Sequence, residues 1–140
     1  MENHPANKGI LKPCAANEKG NFDNQCAIRV SVCLLCRIRV SAWVQAKGVY
    51  CWHGHGKRHV LRAQELANWI AGQPYLFGPL VKIHSLARAK GKMGIVVFKD
   101  FWGQGNQGDH IDVWDGKKMP KDSGANSYFS HAKEVWFCRL

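Results

Sequence analysis

The spacing of apolar positions changes character along the chain. Ala27 to Leu35 is an apolar run of helical length. Asp23 or Asn24 ahead of it suits an N-cap, which puts Cys26 in the first turn. The alternation Arg37-Ile38-Arg39-Val40-Ser41 has period two and blurs where that helix ends. His59, Val60, Leu61, Ala63, Leu66, Ala67, Trp69 and Ile70 fall on one helical stripe, with Gly72 to stop it and Pro74 beyond. Past Lys92 the pattern turns to strands. Met93 to Phe98, with its core Ile95-Val96-Val97, predicts one strand. Asp109 to Trp114 alternates apolar and polar and predicts the next, with Asp115-Gly116 as its turn. A last strand is predicted around Glu134 to Cys138. Residues 1–23 form an irregular lead-in; 48–57, 101–108 and 117–127 read as loops. Helices first and strands later predict an α+β domain with a mostly antiparallel sheet.

Composition narrows this picture. A chain of 140 residues suggests one domain spanning 1–140, and 46% hydrophobic residues supply a core. The net charge of +10 favours anionic partners: nucleic acid, acidic lipid, acidic wall polymers or an acidic protein. Residues 1–20 lack the apolar segment of a secretory signal, so export is expected by a route that needs none. The stretch 30–44 is interrupted by Arg37 and Arg39 and is too short to span a bilayer.

The candidate chemistry centres on Asn24-Gln25-Cys26-Ala27-Ile28-Arg29 and Gly108-Asp109-His110-Ile111-Asp112-Val113-Trp114. A thiol at a helix start sits beside N–H groups that favour negative charge. A histidine elsewhere in the chain can take the thiol proton, and a thiolate can then attack a carbonyl. Gln25 offers an amide donor towards a developing oxyanion, with the Cys26 backbone N–H as its companion. The plainer reading of Cys26 is a small buried core residue, which is the usual role of a lone cysteine. Strand alternation places His110 and Asp112 on one face and Ile111 and Val113 on the other, suggesting an open polar edge. Asp112, Asp115 and Asp122 are candidates to orient the imidazole.

Two competing readings remain at this level. Cys33, Cys36, Cys51 and His53 or His55 form a zinc-like set, although Cys33 and Cys36 at helical spacing fit core packing better. Cys36 and Cys51 are alternatively a disulfide pair. A basic, zinc-stabilised nucleic-acid-binding module is the alternative function, but no aromatic-basic or helix-turn-helix signature accompanies the charge. Trp52, Trp102 and Tyr128 read as core packing before substrate stacking.

The Cys and His segments, in this order and separation, resemble the fourth family of type VI secretion amidase effectors. These are antibacterial toxins with a papain-like fold related to the NlpC/P60 peptidases. The resemblance extends through the helix His59 to Ile70, Lys92-Met93-Gly94-Ile95-Val96-Val97-Phe98, Trp102 and the closing Glu134-Val135-Trp136-Phe137. It implies that an N-terminal helix carries the nucleophile Cys26 and packs on a sheet carrying the general base His110. Its third member is implied at Asp122, twelve positions after His110, with Asp112 as the alternative. Some family members have a disulfide flanking that Asp; this chain has no cysteine between Cys51 and Cys138. The resemblance further implies cleavage of the γ-D-glutamyl–meso-diaminopimelate bond of peptidoglycan stems without metal or cofactor. It implies delivery by the type VI machinery into a rival's periplasm, no membrane insertion, and a cognate immunity protein, expected to be acidic. A papain-like thiol enzyme acting on another amide is the variant of this reading.

Overall fold

The computed structural model describes residues 26–37, 59–102, 108–119 and 125–140, with side chains for all of these except 35–37, 102, 125 and 126. The chain divides into two compact units, residues 1–66 and 67–140. Among the described residues, no helix is long and apolar enough to cross a membrane.

In the first unit, helix α1 (Cys26–Arg37) carries Cys26 in its first turn, as expected; the expected cap at Asp23 or Asn24 lies outside the described residues. Ala27, Ile28, Val30, Ser31 and Leu34 are buried, the spacing of one helical face. Ser31 is the polar member of that face. Its hydroxyl oxygen accepts the backbone N–H of Val60 at 3.1 Å. The structure corrects one expectation here. The helix expected from His59 starts only at Ala63, as α2 (Ala63–Ala71). His59 and Val60 are buried and lie ahead of it, with Val60 in a β-bridge. A β-bridge is an extended conformation that a helical turn does not share, and the buried N–H of Val60 is satisfied by the Ser31 hydroxyl. The end of α2 is as expected: the Gly72 N–H reaches the carbonyls of Asn68 and Trp69, both at 3.1 Å, and Pro74 follows.

The second unit is built on a four-stranded sheet in the order β1-β4-β2-β3, in which every neighbouring pair is antiparallel. Its strands are β1 (Val81–Ile83), β2 (Gly94–Trp102), β3 (Gly108–Trp114) and β4 (Glu134–Arg139). β1 carries no sequence signal because it is only three residues long and lies at the sheet edge. β2 is central, and Ile95, Val96, Val97 and Phe98 are all buried. Burial on both faces is why this segment reads as a continuous apolar run and not as an alternation. A helix α3 (Ala125–His131) occupies part of the stretch expected to be a loop. Its sequence, Ala-Asn-Ser-Tyr-Phe-Ser-His, is too polar to advertise a helix.

One face of the sheet carries a core of Ile83, Val96, Phe98, Trp114, Val135 and Phe137, closed by Ala89 and Met119. Tyr128 and Phe129 of α3 pack against it. The Trp114 indole N–H donates to the Ala89 carbonyl at 2.9 Å, tying the 3₁₀ turn Leu86–Arg88 and its Ala89 cap to β3. The Asp115-Gly116 turn forms as expected. Gly116 adopts φ +101°, and the Asp115 carboxylate accepts the N–H groups of Lys117 and Lys118, both at 2.8 Å.

Candidate active site

The candidate nucleophile, Cys26, is the first residue of α1 and is buried at 9% exposure. Neither the first turn of α1 nor its last described turn carries a carboxylate that would oppose a negative charge there. Gln25, the candidate oxyanion donor, lies outside the described residues, as does Asp122. So do Cys14, Cys51, Trp52, His53 and His55, together with the side chains of Cys36 and Trp102. Among the described residues, no group of His, Cys, Asp or Glu side chains is placed to hold a metal ion.

Cys26, Cys33 and Cys138 carry reduced thiols. Cys138 is the least suited of these to nucleophilic work. Burial pushes its pKa up to about 11, and its S–H donates to the Gly78 carbonyl at 3.0 Å.

The candidate base, His110, sits in the middle of β3, paired with Phe98 of β2. Side-chain alternation places it with Asp112, as the sequence indicates, but the face they share is not an open polar edge. It is the face that carries the aromatic core. The His110 ring stands edge-on to Tyr128 at 5.1 Å and is tilted against Phe98 at 6.1 Å and Phe101 at 6.0 Å. Its side chain is 18% exposed, and that of Asp112 is 24% exposed. The His110 Nε2 lies 3.5 Å from the Asp112 carboxylate. That is longer than an ordinary hydrogen bond of about 2.7–3.2 Å, so the pair becomes an ion pair only when the imidazole is protonated. The other Asp112 oxygen accepts the Val113 N–H at 2.8 Å, which holds the carboxylate close to its own backbone.

The aromatic cover depends on a bulge in β2. Phe98 pairs with His110, yet Trp102 pairs with Gly108: four steps along β2 match two along β3. Within the bulge, Asp100 adopts φ +51°, a left-handed conformation that costs a non-glycine residue about 1 kcal/mol. Its N–H is captured by the Asp109 carboxylate at 3.0 Å. In a regular strand Phe98 and Phe101 would point to opposite faces. The bulge turns both towards His110 and Tyr128, with Phe101 and Tyr128 only 4.4 Å apart. Bulges commonly re-aim side chains beside functional sites. The strand therefore runs on to Trp102, past the end expected at Phe98, and Phe101 and Trp102 belong to β2 where a loop over 101–108 is expected.

The comparison with known proteins then decides the family. The profile of the type VI secretion system (T6SS) amidase effector protein 4 family, Tae4, matches residues 22–138. The chain belongs to this family. The matched span contains both the Cys26 and the His110 segments. The fold resembles that of Tae4 from Enterobacter cloacae, solved as an effector–immunity complex with Tai4. The TM-score is 0.60 at 22% identity, over 97% of this chain and 79% of that one. It also resembles Tae4 from Salmonella typhimurium, solved with the Tai4 immunity protein of Enterobacter cloacae. There the TM-score is 0.59 at 20% identity, over 85% of this chain and 76% of that one. None of the curated proteins compared matches the chain. As a Tae4 family member the chain is an amidase effector, and its α+β fold with an antiparallel sheet agrees with these Tae4 structures.

Proposed function

We propose that this chain is a cysteine-dependent peptidoglycan amidase that hydrolyses the γ-D-glutamyl–meso-diaminopimelate bond of stem peptides, on a papain-like scaffold of the NlpC/P60 kind. The observation that carries this reading is the family match over residues 22–138, which spans a thiol at the opening of α1 and an imidazole on β3.

In this mechanism His110 takes the proton of the Cys26 thiol, and the sulfur attacks the γ-glutamyl carbonyl carbon. The Cys26 backbone N–H and the Gln25 amide steady the oxyanion. The tetrahedral intermediate collapses with cleavage of the C–N bond, and His110 gives its proton to the departing diaminopimelate amine. Water, deprotonated by His110, then attacks the thioester, releasing the glutamyl carboxylate and restoring the thiol. Asp122 orients the imidazole in the position implied by the family resemblance. Asp112, 3.5 Å from Nε2, adds a negative charge that favours the imidazolium. The aromatic cover of Tyr128, Phe98 and Phe101 limits the ring's freedom and its contact with water.

The family match supports delivery by the type VI secretion machinery, and a peptidoglycan substrate would be met in the periplasm of a target bacterium. Both Tae4 structures are complexes with an immunity protein. A cognate immunity protein for this chain follows by analogy, and a net charge of +10 favours an acidic one.

Digestion of purified meso-diaminopimelate-type sacculi, wild type beside Cys26→Ala, tests the reading. Mass spectrometry is expected to find disaccharide–L-Ala–D-Glu fragments from wild type alone. Equal release by a folded Cys26→Ala protein would remove Cys26 as nucleophile. Intact sacculi in both digests would remove peptidoglycan as substrate.

A further inference from the structure

A second feature of the sheet lies apart from His110. At the far edge, around β1 and the end of β4, is a cavity of about 530 Å³. Its apolar lining includes Val81, Ile83 and Phe137. Arg88 of the 3₁₀ turn, Lys92 and Arg139 of β4 bring three cations to its walls. The Lys92 ammonium is held by a bond to the Arg88 carbonyl at 3.0 Å, which fixes its charge beside the turn. Lys82 also borders the cavity, but its ammonium is engaged by Glu134 at 2.9 Å. Among the described residues, no carboxylate forms an ion pair with Arg88, Lys92 or Arg139. Cations without a carboxylate partner, lining one groove together with apolar side chains, suit a ligand that carries carboxylates on a partly aliphatic backbone.

The distance to His110 decides how such a ligand is used. The groove and His110 are separated by two to three strand spacings across the sheet and several residues along it, about 15 Å in all. An extended peptide advances at most about 3.5 Å per residue, so the two or so residues beyond a cut stem-peptide bond reach only about 7 Å. The backbone released by a cut at His110 therefore stops short of the groove.

We infer that this groove is an exosite for peptidoglycan, holding a neighbouring, uncut stem peptide through its carboxylates while another stem is cut at His110. This rests on the wall polymer being the substrate. Glycan strands carry stems at repeated positions, so binding a second one raises the effective concentration of the first at the catalytic groups. The site acts on the polymer and not on an isolated stem.

The test compares Arg88→Gln/Arg139→Gln with a charge-matched control, Lys117→Gln/Lys118→Gln, whose side chains are exposed at the β3 turn. Binding to sacculi is measured by co-sedimentation in a Cys26→Ala background, and hydrolysis of a soluble muropeptide is measured with Cys26 intact. The groove variant is expected to lose about tenfold in sacculus affinity, the sum of two modest ion pairs, while the control stays within about twofold. Both are expected to cut the muropeptide at the wild-type rate, and added salt should abolish the difference in binding. Sacculus binding equal to that of the control, or muropeptide cleavage falling in parallel, overturns the exosite. Loss of affinity for an immunity protein with sacculus binding intact also overturns it, assigning the groove to that partner. A wild-type protein that does not cut the muropeptide defeats the proposed function instead, and sedimentation still decides whether the groove binds the wall.

Discussion

Phe98 and Phe101, three residues apart on one strand, both face the imidazole of His110, at ring distances of 6.1 and 6.0 Å. A regular strand cannot do this, and the bulge at Asp100 makes it possible. The first consequence concerns Tyr128, which completes the cover at 5.1 Å from His110. Tyr128→Phe keeps the ring and is expected to retain both stability and activity. Tyr128→Ala removes a half-buried aromatic and should cost about 2–4 kcal/mol in stability. It should also lower kcat in the fraction that remains folded, because the imidazole gains freedom. Thermal unfolding together with stem-peptide hydrolysis checks this, and equal loss in both variants would point to the hydroxyl instead.

Asp112 and Asp122 are separable by kinetics. At 3.5 Å from Nε2, Asp112 contributes charge without a short hydrogen bond. Asp112→Asn is expected to lower kcat by less than about tenfold, and Asp122→Asn by about a hundredfold or more, each with KM unchanged. The reverse order would make Asp112 the orienting carboxylate.

Gly94 begins β2 where the chains crowd. A Cβ built there overlaps the Cys138 carbonyl oxygen and comes within 2.6 Å of the Phe137 ring. Backbone on one side and a packed core ring on the other leave little room to give. Gly94→Ala should therefore destabilise by about 3 kcal/mol or more, read as a fall in the denaturant midpoint. A variant as stable as wild type would mean that β2 and β4 separate more readily than this packing allows.

The Glu134 carboxyl is held below its ordinary pKa, first by its bond to Lys82 at 2.9 Å and then by the Trp136 indole N–H at 3.0 Å. A carboxyl lowered in the folded state stabilises the fold above its unfolded pKa, and that contribution is lost as pH falls through the folded value. Glu134→Gln should therefore be less stable than wild type at pH 7–8, by a small amount because the pair is exposed, and the difference should close as pH falls below the usual glutamate range. Urea melts across acidic pH test this, and identical slopes for variant and wild type would show that the pair does not couple to folding.

How much of this was legible can be read from particular residues. The stop of α2 at Gly72 and the turn at Asp115-Gly116 are set by capping and turn chemistry. Such effects act within a few residues and leave a local mark in the sequence. The antiparallel sheet and the alternation of His110 with Ile111 follow from period-two patterning in the same way. The paired Cys and His segments also suffice to suggest the amidase effector family, because residue type and order are properties of the sequence itself.

What the tertiary structure alone decided involves partners distant along the chain. Ser31 accepts the N–H of Val60, which sits in a β-bridge, and α2 begins only at Ala63. The edge strand β1 exists only through β4, more than fifty residues later. The polar helix α3 forms where Tyr128 and Phe129 meet the core. The face around His110 reads as polar from Asp112, but it is enclosed because a bulge and a remote helix bring three aromatic rings to it. Hydrogen bonds and packing between distant segments have no period of their own, so only the folded chain displays them.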